Sequence, residues 1–489
     1  VSTSAAIKKH MIALRKNTLN FEMKFFELLD QKEIETIHEN ALRLLNEVGV
    51  LFNYDPAVEI LKKAGCRADG QKVFFETALV EELRTLPPAE FTLYGRCAET
   101  NVVFNQNALV MIPCYGSPFV LDLDKGRREG VREDFVNFTK LTQESPHIDM
   151  ASTVPCEMTD IPLKKRTAEY IRTTLEYCDK PMVVSKDVKT MRYAFEQCSI
   201  LYGDRASLIA QPRFISITDS FSPMSYDGTM LKMMIYCAEN GIPQRIGGLG
   251  VAGLTTPVTL AGNLSQMTAE ALAGIVLTQL IRPGVPVVLN NSSSCADMKS
   301  LGLTLGAPES ALVCVGTAQM ARFYGFPCRS GGAVSDAKVV DAQAGAESMM
   351  NLLTSALSGT NYILHACGIL ESYMVSSLEK FIVDEESCGI VKHLRKGIPV
   401  NEDTLAFDTL KQVGPQGEFV THPHTLTQFR SLYNPRLFDR SSFQQWEENG
   451  SDDIAVSANR EWKKRVGNYV PPELPKELYD ALRSYVDSI

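Results

Sequence analysis

"RIGGLGVAGLTTP", residues 245–257, holds Gly248, Gly250 and Gly253 in G-x-G-x-x-G spacing, and its reading decides between two α/β folds. In a dinucleotide-binding sheet such glycines follow a strand directly and open the helix whose N-terminus meets the pyrophosphate. Here Leu254-Thr255-Thr256-Pro257 come next. Proline fixes its own φ, lacks an N–H and drives the preceding residue out of the α region, so no helix runs on from the glycines. The next helical pattern starts only after Gly262. The stretch therefore reads as a tight, small-residue loop behind a strand.

On either side of this loop, short apolar or β-branched runs alternate with long helical patterns. The runs cover 109–114, 148–153, 181–185, 213–218, 243–248, 286–290, 327–332 and 362–367. Helices are predicted near 132–143, 164–177, 188–200, 227–240, 262–281, 308–324, 341–358 and 374–392. Repeated strand–helix units imply parallel strands with right-handed crossovers, and eight of them in succession suit a closed (β/α)8 TIM barrel over 108–395. A doubly wound open sheet is the alternative. Residues 1–107 read as an N-terminal helical region, with Ile34, Ile37, Ala41, Leu44 and Leu45 at helical spacing and further helices near 56–64 and 76–85. Residues 396–489 read as a mainly helical extension packed on the barrel.

Composition narrows the function classes. A content of 45% hydrophobic and 22% charged residues suits a globular chain with a large core. The formal net charge of −9 gives no general attraction to nucleic acid or anionic lipid. The opening "VSTSAAIKKHMIALRKN" lacks the apolar core of a signal peptide, and no run reaches the roughly 18 apolar residues of a spanning helix. A cytoplasmic protein without nucleic acid or membrane partners is expected. The twelve cysteines contain no C-x-x-C pair, so free thiols are expected, with neither a zinc knuckle nor a disulfide scaffold. His422 and His424 in "THPHT" have no neighbouring carboxylate or cysteine, which favours a loop role over a metal site.

In a barrel, the loops at strand C-termini build the active site. Here they carry Tyr115, Thr153 to Glu157, Ser185-Lys186, Thr218 to Phe221, Gly248 to Gly250, Asn290 to Ser293, Arg329 to Gly332 and His365 to Glu371. They are rich in glycine and hydroxyls and poor in the paired acids that hydrolysis requires, and no G-x-S-x-G elbow occurs.

The stretches "ALRLLNEVGV", "TTPVTLAGN", "ARFYGFPCRSGGAVSDAKVVDAQAGAES" and "ILHACGILES" resemble the trimethylamine methyltransferase family, over roughly residues 35–480. The resemblance implies a (β/α)8 barrel that moves a methyl group from an amine to the cobalt of a separate corrinoid protein, whose cofactor docks at the barrel mouth. It implies no cofactor bound tightly by this chain. Trimethylamine-using members carry pyrrolysine, and this chain has only the twenty standard residues. Members without pyrrolysine resemble demethylases of quaternary amines such as glycine betaine, proline betaine, carnitine or γ-butyrobetaine. A quaternary ammonium already bears its positive charge, so attack by Co(I) on its methyl expels a neutral tertiary amine and needs no acid.

Positioning and electrostatics are then the protein's tasks. A permanent cation is best held by aromatic faces, and Tyr115, Phe221, Tyr94 and Tyr226 are the candidates, with core packing as the alternative for each. A carboxylate suits the fork of Arg329 and a hydrogen bond from His365, unless Arg329 pairs with an acid and His365 is a satisfied core residue. Glu371 is placed either facing the ammonium or holding His365 in its tautomer. Asp336 and Asp341 are expected to cap and anchor the segment after the seventh strand. Gly248, Gly250, Gly331 and Gly332 would let a corrin ring come close, although tight turns use glycine equally. A homo-oligomer is expected. Two other readings stand beside this one: a non-catalytic quaternary-amine binder, and an NAD(P)-dependent oxidoreductase resting on the glycine spacing.

Overall fold

The computed structural model describes residues 24–489, and the opening 1–23 lies outside them. Eight short parallel strands form one sheet: β1 Val110–Met111, β2 Ala151–Ser152, β3 Met182–Val184, β4 Phe214–Asp219, β5 Gln244–Gly248, β6 Val287–Asn291, β7 Cys328–Arg329 and β8 Tyr362–Ile363. Their order is β1-β8-β7-β6-β5-β4-β3-β2. The two ends of that sheet meet where the Asp149 N–H donates to the Met111 carbonyl at 2.8 Å, which closes the ring. All eight runs read from the sequence contain a strand, and "PCRSGG", weak in β propensity, yields only two residues of one.

A helix follows each strand: α1 Arg132–Glu144, α2 Leu163–Tyr177, α3 Val188–Tyr202, α4 Gly228–Glu239, α5 Leu260–Ile281, α6 Pro308–Tyr324, α7 Ala342–Ser358 and α8 Leu378–Leu394. Their ends follow from local chemistry. Pro308 begins α6 and Gly325 ends it in the left-handed region, while Asp341 caps α7 by accepting from the Ala344 N–H. Strand alternation sorts the core. Met182, Val184, Phe214, Ile246 and Leu289 face outward to the helices, whereas Val110, Ile112, Met150, Val183, Ile215, Ile217 and Val288 fill the barrel interior.

The N-terminal region is not purely helical. Helices Gln31–Arg43, Asp55–Lys63 and Thr77–Leu83 are joined by a four-stranded sheet, in the order Ser225–Tyr226, Val50–Phe52, Lys72–Phe74, Arg67–Asp69. Its first strand comes from the loop after β4 and pairs with Val50–Phe52 in parallel. A hairpin of Phe91–Leu93 and Val102–Phe104 packs into the barrel floor, with Phe91 stacked on Phe104 at 4.9 Å and Phe104 against Tyr362. Helix α5 is long and apolar enough to cross a membrane by length and composition, contrary to the reading from the sequence. Yet 89% of its most apolar window is buried, because it packs against both the N-terminal elements and the barrel. The extension is helical as expected: Ile454–Gly467 lies on α8 and α1, and Lys476–Asp487 on α2 and α3. The twelve cysteines are free.

Candidate active site

Above the apolar floor, the inward-facing positions of β4 to β8 become polar. Asp219 ends β4, Arg245 lies in β5, Asn290 in β6, Arg329 in β7 and Tyr362 in β8, with Asn290 opposite Arg329 and Arg329 opposite Tyr362. Arg245 pairs with Asp219 and donates to Asn290 Oδ1 at 3.3 Å, and Asn290 Nδ2 donates back to Asp219 at 3.2 Å. Arg245 is thus neutralised inside the protein. At the inward position between them, Gly247 has φ +141° and an added Cβ would lie 1.9 Å from the Asn290 carbonyl oxygen, so this tier tolerates no side chain there.

Arg329 has no such compensation. It is 2% exposed, its Nε and Nη1 have no hydrogen-bond partner, and among the described residues no acid pairs with it. Around it stand other unsatisfied polar atoms, the Tyr362 hydroxyl and His365 Nδ1. Tyr115 reaches in from the loop after β1, where its hydroxyl lies beside Thr153 and Ser185 and feels the charge of Arg245. His365 sits at φ +62° with its ring 4.5 Å from that of Tyr373. Glu371, Ser372 and Tyr373 are three consecutive left-handed residues, a rare backbone that turns the loop after β8 back over the barrel. Burial, reinforced by the Arg329 and Arg245 guanidiniums, holds His365 well below the ordinary imidazole range, so it is neutral at pH 7.

The residues thus converge on a buried, anion-seeking tier ringed by tyrosines, open toward the strand C-termini. The family model "Trimethylamine methyltransferase (MTTB)" matches residues 2–488. The chain belongs to the trimethylamine methyltransferase family. It is 39% identical over 463 residues to the glycine betaine methyltransferase of Desulfitobacterium hafniense, covering 94% of this chain and 96% of that one. It is 31% identical over 468 residues to the proline betaine:corrinoid methyltransferase of Eubacterium limosum, covering 93% and 96%. Among solved structures, the monomethylamine methyltransferase of Methanosarcina barkeri shares the fold, with a TM-score of 0.52 at 10% identity, covering 95% and 93%.

Several expectations raised by the family resemblance need correction. The Tyr94 N–H donates to the Pro212 carbonyl at 2.8 Å, and Pro212-Arg213 precede β4, so Tyr94 lies at the opposite end of the barrel from the mouth. Tyr226 is fully buried outside the barrel, stacked on Phe52 at 5.7 Å with its hydroxyl donating to the Glu270 carbonyl. Glu371 accepts from Arg127 Nε at 3.0 Å and does not hold His365. The four glycines are required by the chain's own packing. An added Cβ would meet Ser220 Oγ at 2.4 Å on Gly248, Thr256 Cγ2 at 2.4 Å on Gly250, Ser355 Oγ at 1.7 Å on Gly331 and the Leu364 oxygen at 2.5 Å on Gly332. The loop 245–257 leads into the short strand Val251–Ala252, not a helix, and α5 begins at Leu260, so the dinucleotide turn is not formed.

Phe221 is 69% exposed at the rim, outside the buried tier. It belongs to an apolar ring of Phe221, Leu254, Val258, Met298, Leu301, Val339 and Met374, all exposed and contributed by the five loops after β4 to β8. Asp336 ties the last three of these loops together, accepting from the Leu305 and Gly306 N–H groups at 2.8 and 3.0 Å and from Ser372 Oγ at 2.6 Å. His422 accepts from the His424 N–H and bonds Gln412, as a loop residue.

The neutral state of His365 has a measurable consequence. Its folded pKa lies below the unfolded value of about 6.5, so below that pH the unfolded chain takes up a proton that the folded chain refuses. Stability present above pH 6.5 is therefore lost as pH falls. His365→Asn, a residue that tolerates positive φ, should remove this slope. Between pH 7.5 and 5.5 the parent should lose about 1.4 kcal/mol more than the variant, measured by urea titration at each pH. Parallel losses would contradict the assignment.

Proposed function

We propose that the chain is a quaternary amine (betaine-type):corrinoid protein Co-methyltransferase. The observation that carries this reading is Arg329: a buried, uncompensated guanidinium costs several kcal/mol unless an anion meets it. A betaine is a zwitterion whose carboxylate can take the Arg329 fork and a hydrogen bond from neutral His365. Its ammonium end then lies against tyrosine faces, with Tyr115 and Tyr373 in that role, each attractive by about 0.5–2 kcal/mol. Asp219, whose side chain stays partly open to the mouth, adds negative charge on that side.

The corrinoid of a separate protein supplies a Co(I) nucleophile that accepts the methyl group as the neutral tertiary amine leaves. This chain fits such an acceptor by its apolar rim, which offers a docking face of the kind that marks partner binding. Its own work is to anchor the carboxylate deep in the barrel so that an N-methyl group points outward. It also keeps His365 neutral, so that no proton is moved in the displacement. The two named betaine relatives support the same substrate class.

The test is a spectrophotometric screen of betaines with reduced free cobalamin. Conversion of cob(I)alamin to methylcobalamin with a carboxylated quaternary amine, and none with a carboxylate-free analogue of the same size, is the expected result. Ligand binding without any turnover would make the chain a binding protein and overturn the catalytic reading.

A further inference from the structure

No residue from Lys392 to Ile454 is buried, although the segment carries formed helices at Glu402–Leu405, Phe407–Val413 and Pro423–Gln428, the first and third with side-chain caps. Within it, Ile398, Val400, Phe407, Leu410, Leu426 and Leu432 are each more than half exposed. The hydrogen bonds of residues 398–432 stay inside the segment: Asn401 with Thr404, His422 with Gln412, Thr425 with Phe419. Helices of four to seven residues do not stand in water on backbone bonds alone, and their order requires packing of an apolar face. The body of this chain does not provide it. We propose that residues 398–432 form an arm that packs on a second copy of this chain and joins the two.

Two observations select this occupant. The exposed apolar side chains of the arm present on the order of 1,000 Å² per chain, enough for the roughly 800 Å² per partner of a standard stable interface. The arm is also rooted away from the mouth: Arg395 donates to the Asn107 carbonyl at 3.1 Å and Lys392 to the His147 carbonyl at 2.7 Å, just ahead of β1 and β2 at the N-terminal end of the barrel. A methyl acceptor must approach the opposite end, whereas identical chains can exchange identical arms and close with two-fold symmetry.

The test is the mass of the full chain in solution at micromolar concentration, by sedimentation and light scattering. The full chain should be a dimer or a higher even assembly. A chain with 398–432 replaced by a Gly-Ser linker, and separately the full chain carrying Phe407→Glu and Leu410→Glu, should both fall to half that mass or below. Their far-ultraviolet circular dichroism should fall by no more than the short helices of the arm contribute, and their methylation of free cob(I)alamin should be unchanged. A monomeric parent would overturn the proposal, and so would variants that keep the parental mass. Variants that keep their mass but lose a corrinoid protein would assign the arm to that partner instead.

Discussion

Arg329→Met is expected to lower kcat/KM for a carboxylated quaternary amine by about 10³-fold, corresponding to about 4 kcal/mol, while leaving the ligand-free protein more stable than its parent. Both signs come from one fact. The guanidinium is buried with no hydrogen bond from its Nε or Nη1 and no paired acid, so in the ligand-free chain it is a desolvated charge, and a methionine of similar volume removes that cost. Under the proposed function, the same guanidinium would meet the carboxylate of a bound betaine, and its loss would leave that carboxylate buried and unmet. Arg329→Lys should fall between, since an ammonium keeps charge but loses the planar fork. The measurements are steady-state methylation of cob(I)alamin and thermal unfolding without substrate. A variant that is less stable than its parent and turns over normally would show that Arg329 is a packing residue.

The largest effect on stability is expected at Lys380→Met. Lys380 is fully buried in α8, with Nζ bonded to Ser348 Oγ at 2.7 Å and to both Asp384 oxygens, and Asp384 also accepts from the Gly368 N–H at 2.9 Å. Burial lifts Asp384 to about 6, and Lys380 holds it from rising further. Removing the lysine strands a carboxylate in the interior, a loss of about 3–5 kcal/mol, read as a fall in the urea midpoint. The sign with pH follows: without Lys380 the folded pKa of Asp384 rises above its unfolded value by more. The folded acid then binds a proton that the unfolded chain releases, and the deficit grows as pH rises from 5 to 8. Lys380→Met with Asp384→Leu should recover most of the loss, and a single-variant deficit under about 1 kcal/mol would refute the burial argument.

How much of this was legible in the sequence depends on length of pattern. The barrel was, because eight strand–helix units repeat and each helix is long enough to show its period. The N-terminal sheet was not: "VLF", "RAD" and "KVF" are three-residue strands, too short for alternation, and the fourth strand arrives from the loop after β4. The same gap misplaced two aromatics. Tyr226 follows β4 in the chain and reads as a mouth residue until its pairing beside Phe52 is seen. Tyr94 has no sequence signal for which barrel end it occupies. Arg329, His365 and Tyr115 were legible because they stand at strand ends. Asp219 and Asn290 were placed at strand ends without a role and Arg245 was overlooked, although charged or amide side chains inside otherwise apolar strand runs are a readable sign of inward polar positions. Tyr373 was hidden because nothing in "LESYM" announces three left-handed residues in a row.

The strand Ser225–Tyr226 is lent by the barrel to the N-terminal sheet, and the hairpin of Phe91–Leu93 and Val102–Phe104 is lent by the N-terminal region to the barrel floor. Each part thus carries a piece of the other's core. A cut near residue 107, where the sequence changes rhythm, would open the bottom of the ring on one side and strip a sheet of its edge partner on the other. Residues 24–395 thus share core and sheet across the change of rhythm, and a barrel transplanted without its N-terminal wrapping is expected to lose stability.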